Sequence, residues 1–234
     1  MSVVIVFILV IAGISFWWLA QQRLMSKPWL EQGAAGVLPG LESTGVPTAK
    51  LGLGVFLAVV GCLFALFASA YFMRMELSDW RAPPLPSVLW LNTGLLILSS
   101  VALHVAVMAA RRNQPDMLRL ALVAGGLTTL AFLAGQMTAW RTLADGGYFL
   151  TGNPATSFFY LLTGMHALHI LGGLVGLGWA MAGAWREGAS ARIAQRVELC
   201  AMYWHFLLLI WLALLVLLAG WANDFIDLCR QLLT

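Results

Sequence analysis

Leu199–Asn223, read as LCAMYWHFLLLIWLALLVLLAGWAN, contains no charged side chain from end to end. About 20 such residues, rising 1.5 Å each in a helix, cross the ~30 Å hydrocarbon layer of a bilayer. Five further stretches free of Asp, Glu, Lys and Arg lie at 1–22, 51–73, 82–110, 120–140 and 146–185. The fifth in chain order opens with Gly146, Gly147, Gly152, Asn153 and Pro154, loop residues that move its helix start to near Thr156. The expected fold is an all-α integral membrane protein with six transmembrane helices.

Composition agrees. Of 234 residues, 61% are hydrophobic and 10% charged, with a mean hydropathy of +0.87. Soluble domains carry roughly 45–50% apolar and 25% charged residues, so a soluble enzyme is excluded. The 11 Trp and 12 Phe exclude a solvated, disordered chain. A net charge of +3 without a basic run is no nucleic-acid footprint. Cys62, Cys200 and Cys229 have no C-x-x-C spacing and read as small hydrophobes.

Three segments follow from the spacing. Residues 1–22 form an N-terminal transmembrane helix: Met1 and Ser2 alone precede the apolar run. Trp17-Trp18-Leu19 stand where a signal cleavage site needs small residues. Residues 23–50, rich in Gly and Pro, form a linker, and 51–234 form a five-helix bundle with short connections and no internal repeat. Arg23, Lys27, Lys50, Arg111, Arg112, Arg119, Arg186, Arg192 and Arg196 fall in alternate loops, against Arg74, Arg81, Arg141 and Arg230 in the others. The positive-inside rule makes the first set, and the linker, cytoplasmic and both termini periplasmic.

All ten carboxylates lie in loops or at helix ends, which leaves His104, His166, His169 and His205 as the ionisable groups at depth. Ion and proton pathways need more than this, so a self-sufficient translocator is disfavoured. Neither G-x-S-x-G nor H-E-x-x-H occurs. His166 and His169 share a helix face; they could ligate a metal, but the absence of nearby acids or cysteines favours bonds to a carbonyl or hydroxyl of a neighbouring helix. His104 lies seven residues before Arg111 and His205 seven after Glu198, both ~10 Å from the cytoplasmic end. If their helices face each other, the pair could hold a b-type haem.

Asn92, His166, His169, Glu198 and His205 are thus expected to make structural polar contacts. Arg192, Arg196 and Trp204 are candidates for holding an anionic lipid at the interface, the alternative being that the arginines only set topology. The many small residues, including Gly172, Gly173, Gly176 and Ser99-Ser100, suit close helix packing.

Four motifs in order carry a family resemblance. The second span ends LFASAYFMR at 66–74; the third opens LNTGL at 91–95 and continues to Ser99-Ser100. The fifth reads FFYLLTGMHALH at 158–169, and the sixth runs from Glu198 through Tyr203-Trp204-His205-Phe206 to Trp211. With Gln136 and Trp140 on the fourth span, this resembles the subunit III family of haem–copper oxidases over roughly residues 50–221.

The resemblance implies a non-catalytic subunit of a terminal oxidase in a bacterial inner membrane. Haem and copper would be carried by the catalytic subunit I and its neighbour subunit II, with no cofactor on this chain. Family members hold phospholipids in a cleft and support sustained proton uptake and turnover. The electron donor is cytochrome c or quinol. Long members have seven helices and short ones five, so six implies that one cleft helix is missing. The family's acids on the second span, before Trp140 and after Trp-His-Phe are replaced by Val60, Ala139 and Leu208. Two other identities remain open: an accessory subunit of nitric oxide reductase, and a b-type haem electron-transfer protein using His104 and His205.

Overall fold

The computed structural model describes residues 48–220. Five helices run through them: α1 (Thr48–Met75), α2 (Val88–Arg111), α3 (Pro115–Asp145), α4 (Pro154–Glu187) and α5 (Ala191–Leu218). Each is long and apolar enough to cross a membrane. The expected span 1–22 lies outside the described residues, as do the linker up to Pro47 and residues 221–234.

Local chemistry explains the boundaries. α2 ends with Asn113 in the left-handed region (φ 54°), a conformation Asn tolerates better than most residues. The Gln114 N–H then reaches back to the Ala109 carbonyl over 3.0 Å, a Schellman closure that satisfies a helix-end carbonyl. Pro115 starts α3 directly, because the first helical position needs no N–H. α4 begins at Pro154, two residues before the expected Thr156. The Asn153 side chain accepts the Ala155 N–H at 2.9 Å and caps the helix there. Lys50, assigned to the linker from its charge, instead lies within α1. Charged residues extend most spans beyond the charge-free stretches, since their side chains can reach out to the interface.

Short connections make successive helices antiparallel. α2 packs along α3 and α5, α4 lies against α3 and α5, and α1 rests on the α4–α5 edge. Three residues of α1 are buried: Val60, Phe64 and Tyr71. One core cluster gathers Leu103, Leu122, Leu177, Ile193 and Trp204, a second Leu96, Phe132, Phe159, Ile170 and Trp211. Val60 and Ala139 are buried within apolar clusters and Leu208 packs against one, so the three positions at which the resemblance implies acids hold hydrocarbon.

Two glycines set close approaches. A Cβ on Gly135 would collide with the Asn92 side-chain oxygen. On Gly173 it would lie 2.6 Å from the Tyr203 ring, so α4 and α5 meet at a glycine.

Candidate functional site

Glu198 ties three helices at one end of the bundle. It accepts from Lys50 Nζ of α1 at 2.8 Å and from Arg111 of α2 at 3.0 Å. The partners are partly exposed, so each pair contributes under ~1 kcal/mol. The end of the bundle that carries this node also carries Arg112, Arg119, Arg186, Arg192 and Arg196, all at or between the same helix ends.

Inside the bundle, three tryptophans use the same device. Trp204 donates its indole N–H to Thr129 (3.2 Å), Trp211 to Thr93 (3.0 Å) and Trp140 to Thr163 (3.0 Å). Each threonine gives its own hydroxyl proton to the carbonyl one turn earlier on its helix: Gly125, Leu89 and Phe159 respectively. The oxygen lone pairs then face the neighbouring helix. Ser99 joins the Thr129 node, at 2.7 Å from its hydroxyl. Thr93 and Thr163 lie within the quoted motifs and Thr129 lies outside them; nothing in the sequence marks any of the three as an indole acceptor, although the seven-residue spacing of Trp204 and Trp211 puts two indoles on one face.

The expected polar residues divide. Asn92 donates to Gln136 at 3.3 Å, fully buried between α2 and α3. His169 bonds the Met165 carbonyl of its own helix at 2.7 Å, where a neighbouring helix was expected to supply the partner. His166 departs further. It is wholly buried and neither ring nitrogen has a hydrogen-bond partner. Its ring instead faces Trp211, Phe132 and Phe64, with centroids 5.2, 5.9 and 6.4 Å away. This aromatic enclosure offers no metal-ligating atoms to complete a His166–His169 site.

His104 and His205 do face each other across α2 and α5, with ring centroids 5.9 Å apart. Ser100 of α2 is hydrogen-bonded to His205 Nδ1 of α5. A porphyrin plane would have to pass between the two rings, through the space that this interhelical bond closes. The pair therefore does not fit a bis-histidine haem.

Of the lipid candidates, Arg196 lines a cavity of about 550 Å³ with Arg186, Glu187 and Trp179. Gly176, Leu199 and Cys200 continue into an adjoining apolar cavity of about 350 Å³, walled by Phe56, Tyr203 and the edge of Trp204. Trp204 is otherwise 1% exposed, which corrects its expected place at the interface. Arg192 is exposed and does not line either cavity.

The described residues define the class: a helical bundle of five apolar spans, joined inside by hydrogen bonds between helices. The family model for cytochrome c oxidase subunit III matches residues 37–223, which include all five helices, and the chain belongs to that family. It is 31% identical over 170 residues to a probable cytochrome c oxidase subunit 3 of Mycobacterium bovis, covering 70% of this chain and 84% of that one. It is 30% identical over 175 residues to cytochrome c oxidase subunit 3 of Synechocystis, covering 71% and 72%. A more distant relative is cytochrome bo(3) ubiquinol oxidase subunit 3 of Pseudomonas aeruginosa, 29% identical over 128 residues, 55% of this chain and 61% of that one. The family is that of subunit III of haem–copper oxidases, membrane proteins of respiratory electron transport.

Proposed function

We propose that this chain is the non-catalytic third subunit of a bacterial terminal oxidase, packed beside subunits I and II that carry the haem and copper. It binds no cofactor itself and holds phospholipid in the groove along α4 and α5. The observation that carries this reading is the family match across every helix of the bundle. It is supported by the use of motif residues as helix-joining contacts: Asn92, Thr163, Glu198, Trp204 and Trp211. The relatives include a cytochrome c and a ubiquinol oxidase subunit, so either electron donor suits the reading.

The groove has the chemistry of a phospholipid site. Arg186, Arg196 and the Glu187 carboxylate stand at its charged end, which keeps a net positive charge, and its length beyond Gly176 is largely hydrocarbon. An anionic headgroup gains about 1 kcal/mol per basic side chain near the surface. Arg196 would hold the headgroup, the Trp204 edge would line the acyl chain, and Arg192 would add charge from outside the groove. By the positive-inside rule, the end carrying Glu198 and these arginines faces the cytoplasm in an inner-membrane protein with both termini periplasmic.

The test is mild-detergent purification of the tagged chain from the membranes of its host, with identification of co-purifying chains. A large haem–copper subunit with a Soret band in the complex is the expected result. Recovery with nitric oxide reductase, or a stoichiometric haem on the isolated chain, would overturn it.

A further inference from the structure

The outward faces of α2 and α5 form one surface. On α2, Ile97, Val101, His104 and Met108 are exposed at intervals of three to four residues, which puts them in one row. On α5, Met202, Leu209 and Leu212 stand in a row with His205 in the same way. The Arg111–Glu198 ion pair closes this surface at one end and marks the membrane boundary there. Both histidines lie seven residues from it, ~10 Å into the hydrocarbon. Lipid tails provide no hydrogen-bond acceptor at that depth, and ionisable groups facing them are disfavoured.

Elsewhere the chain disposes of such groups internally. Exposed Thr138 turns its hydroxyl to the Gly135 carbonyl of its own helix, His169 bonds Met165, and His166 is enclosed by aromatic rings. The outward pair is different. His205 uses one ring nitrogen on Ser100, and His104 has a ring contact with His205 but no hydrogen bond among the described residues. Imidazole hydrogen-bonding capacity is left facing out of the bundle, inside the membrane. Nearly three turns from His104 along the same row, Gly94 is exposed and leaves open space in which another helix can approach closely.

We infer that the α2–α5 face is the docking surface for a transmembrane helix of the catalytic partner, which presents a hydrogen-bond acceptor oxygen to His104 and His205. The partner segment is a helix because an open, irregular segment cannot lie in lipid with its backbone unsatisfied. Its acceptor lies at the depth of the histidine pair, flanked by apolar side chains that fit the two exposed rows. Ser100 orients His205 for this contact. The inference rests on the proposed place of this chain in an oxidase.

The experiment uses the full chain in its host membranes. Photo-reactive benzoylphenylalanine is introduced at Val101 or Leu209, and cross-linked peptides are identified after irradiation. An adduct to a transmembrane helix of a haem–copper subunit is expected. His104→Leu with His205→Leu is expected to lower recovery of that subunit about tenfold, since one interhelical bond is worth roughly a factor of three. The free chain loses the Ser100–His205 bond in this variant and is expected to melt slightly lower while staying folded; His104→Leu alone, which breaks no hydrogen bond among the described residues, is expected to leave the melting temperature unchanged and to lower recovery about threefold. Adducts to residues 1–22, to a second copy or solely to lipid would overturn the inference, as would full recovery of the complex with the double variant. Loss of a stoichiometric metal ion from the double variant, with the complex intact, would overturn it in favour of a metal site. If the unaltered chain recovers no haem–copper subunit, the proposed function fails as well; if it does and the adduct forms elsewhere, the docking surface alone fails.

Discussion

Trp211 gives its indole N–H to Thr93 Oγ1 over 3.0 Å, while Thr93 gives its hydroxyl proton to the Leu89 carbonyl one turn back on α2. The hydroxyl is thus donor within its own helix and acceptor between helices. The bundle repeats this at Trp204–Thr129 and Trp140–Thr163. Lipid and protein interior are equally apolar, so hydrophobic burial does little to choose which helices meet. Directional polar pairs and small residues make that choice.

Thr129→Val keeps the shape and removes the acceptor, orphaning the Trp204 N–H and depriving Ser99 of a partner. The expected cost is about 1–3 kcal/mol. It is to be read as a lower melting temperature of the detergent-solubilised chain, with Thr129→Ser close to unaltered. Equal stability of both variants would assign the contact no energetic role.

Gly135→Ala places a methyl group in the space of the Asn92 side-chain oxygen. Displacing a buried amide in this way is expected to cost about 1–3 kcal/mol. At Gly172 a Cβ meets nothing within 4 Å, so Gly172→Ala is expected to leave stability unchanged or slightly raised. Thermal denaturation of the two variants side by side checks the contrast.

The loop after α1 has an acid-sensitive clasp. Arg74 donates to both carboxylate oxygens of Asp79, one bond being 2.7 Å, and these bonds hold the Asp79 carboxyl below its usual range. A depressed folded value means that the clasp contributes fully above the ordinary carboxylate value of about 3.9 and is lost as pH falls through the lower, folded value. Trp80, edge-to-face with Tyr71 at a centroid distance of 4.8 Å, reports on the loop. In the chain labelled with fluorotryptophan, the Trp80 resonance, assigned by its loss in Trp80→Phe, should shift in acid with a midpoint below the ordinary range, and Asp79→Asn should remove that step. A midpoint at or above it would show that the clasp does not form.

Arg186 and Arg196 line the groove, whereas Arg192 does not. Replacing both lining arginines with Ala is expected to reduce anionic phospholipid retained in native mass spectrometry by several-fold, and Arg192→Ala by less. Assembly with the partner subunits should persist. Loss of assembly with unchanged lipid would mark the arginines as protein contacts instead.

Reporter fusions after Arg112 and after Arg192 are expected to read cytoplasmic, and a fusion after Asp145 periplasmic. The reversed pattern would contradict the orientation drawn from charge.

The sequence by itself determined the five described spans, half of their ends to within three residues, and the family. These are one-dimensional properties: a bilayer asks for a run of uncharged residues of set length, and caps such as Asn153-Pro154 act within a few residues of themselves. Ordered motifs such as Thr163-Gly164-Met165-His166 and Tyr203-Trp204-His205-Phe206 are likewise legible without coordinates. The tertiary structure alone decided which faces meet. His166 was expected to bond a carbonyl or hydroxyl and lies among aromatic rings. Trp204 was expected at the interface and lies in the core. The spacing of His104 and His205 from Arg111 and Glu198 puts them at one expected depth, and only the packing of α2 on α5 brings their rings to 5.9 Å. The physical reason is the solvent. In water an amphipathic pattern tells a helix's inner face from its outer one, but in a membrane both faces are apolar, so the rotation of each helix is set by its neighbours and is not written along the chain.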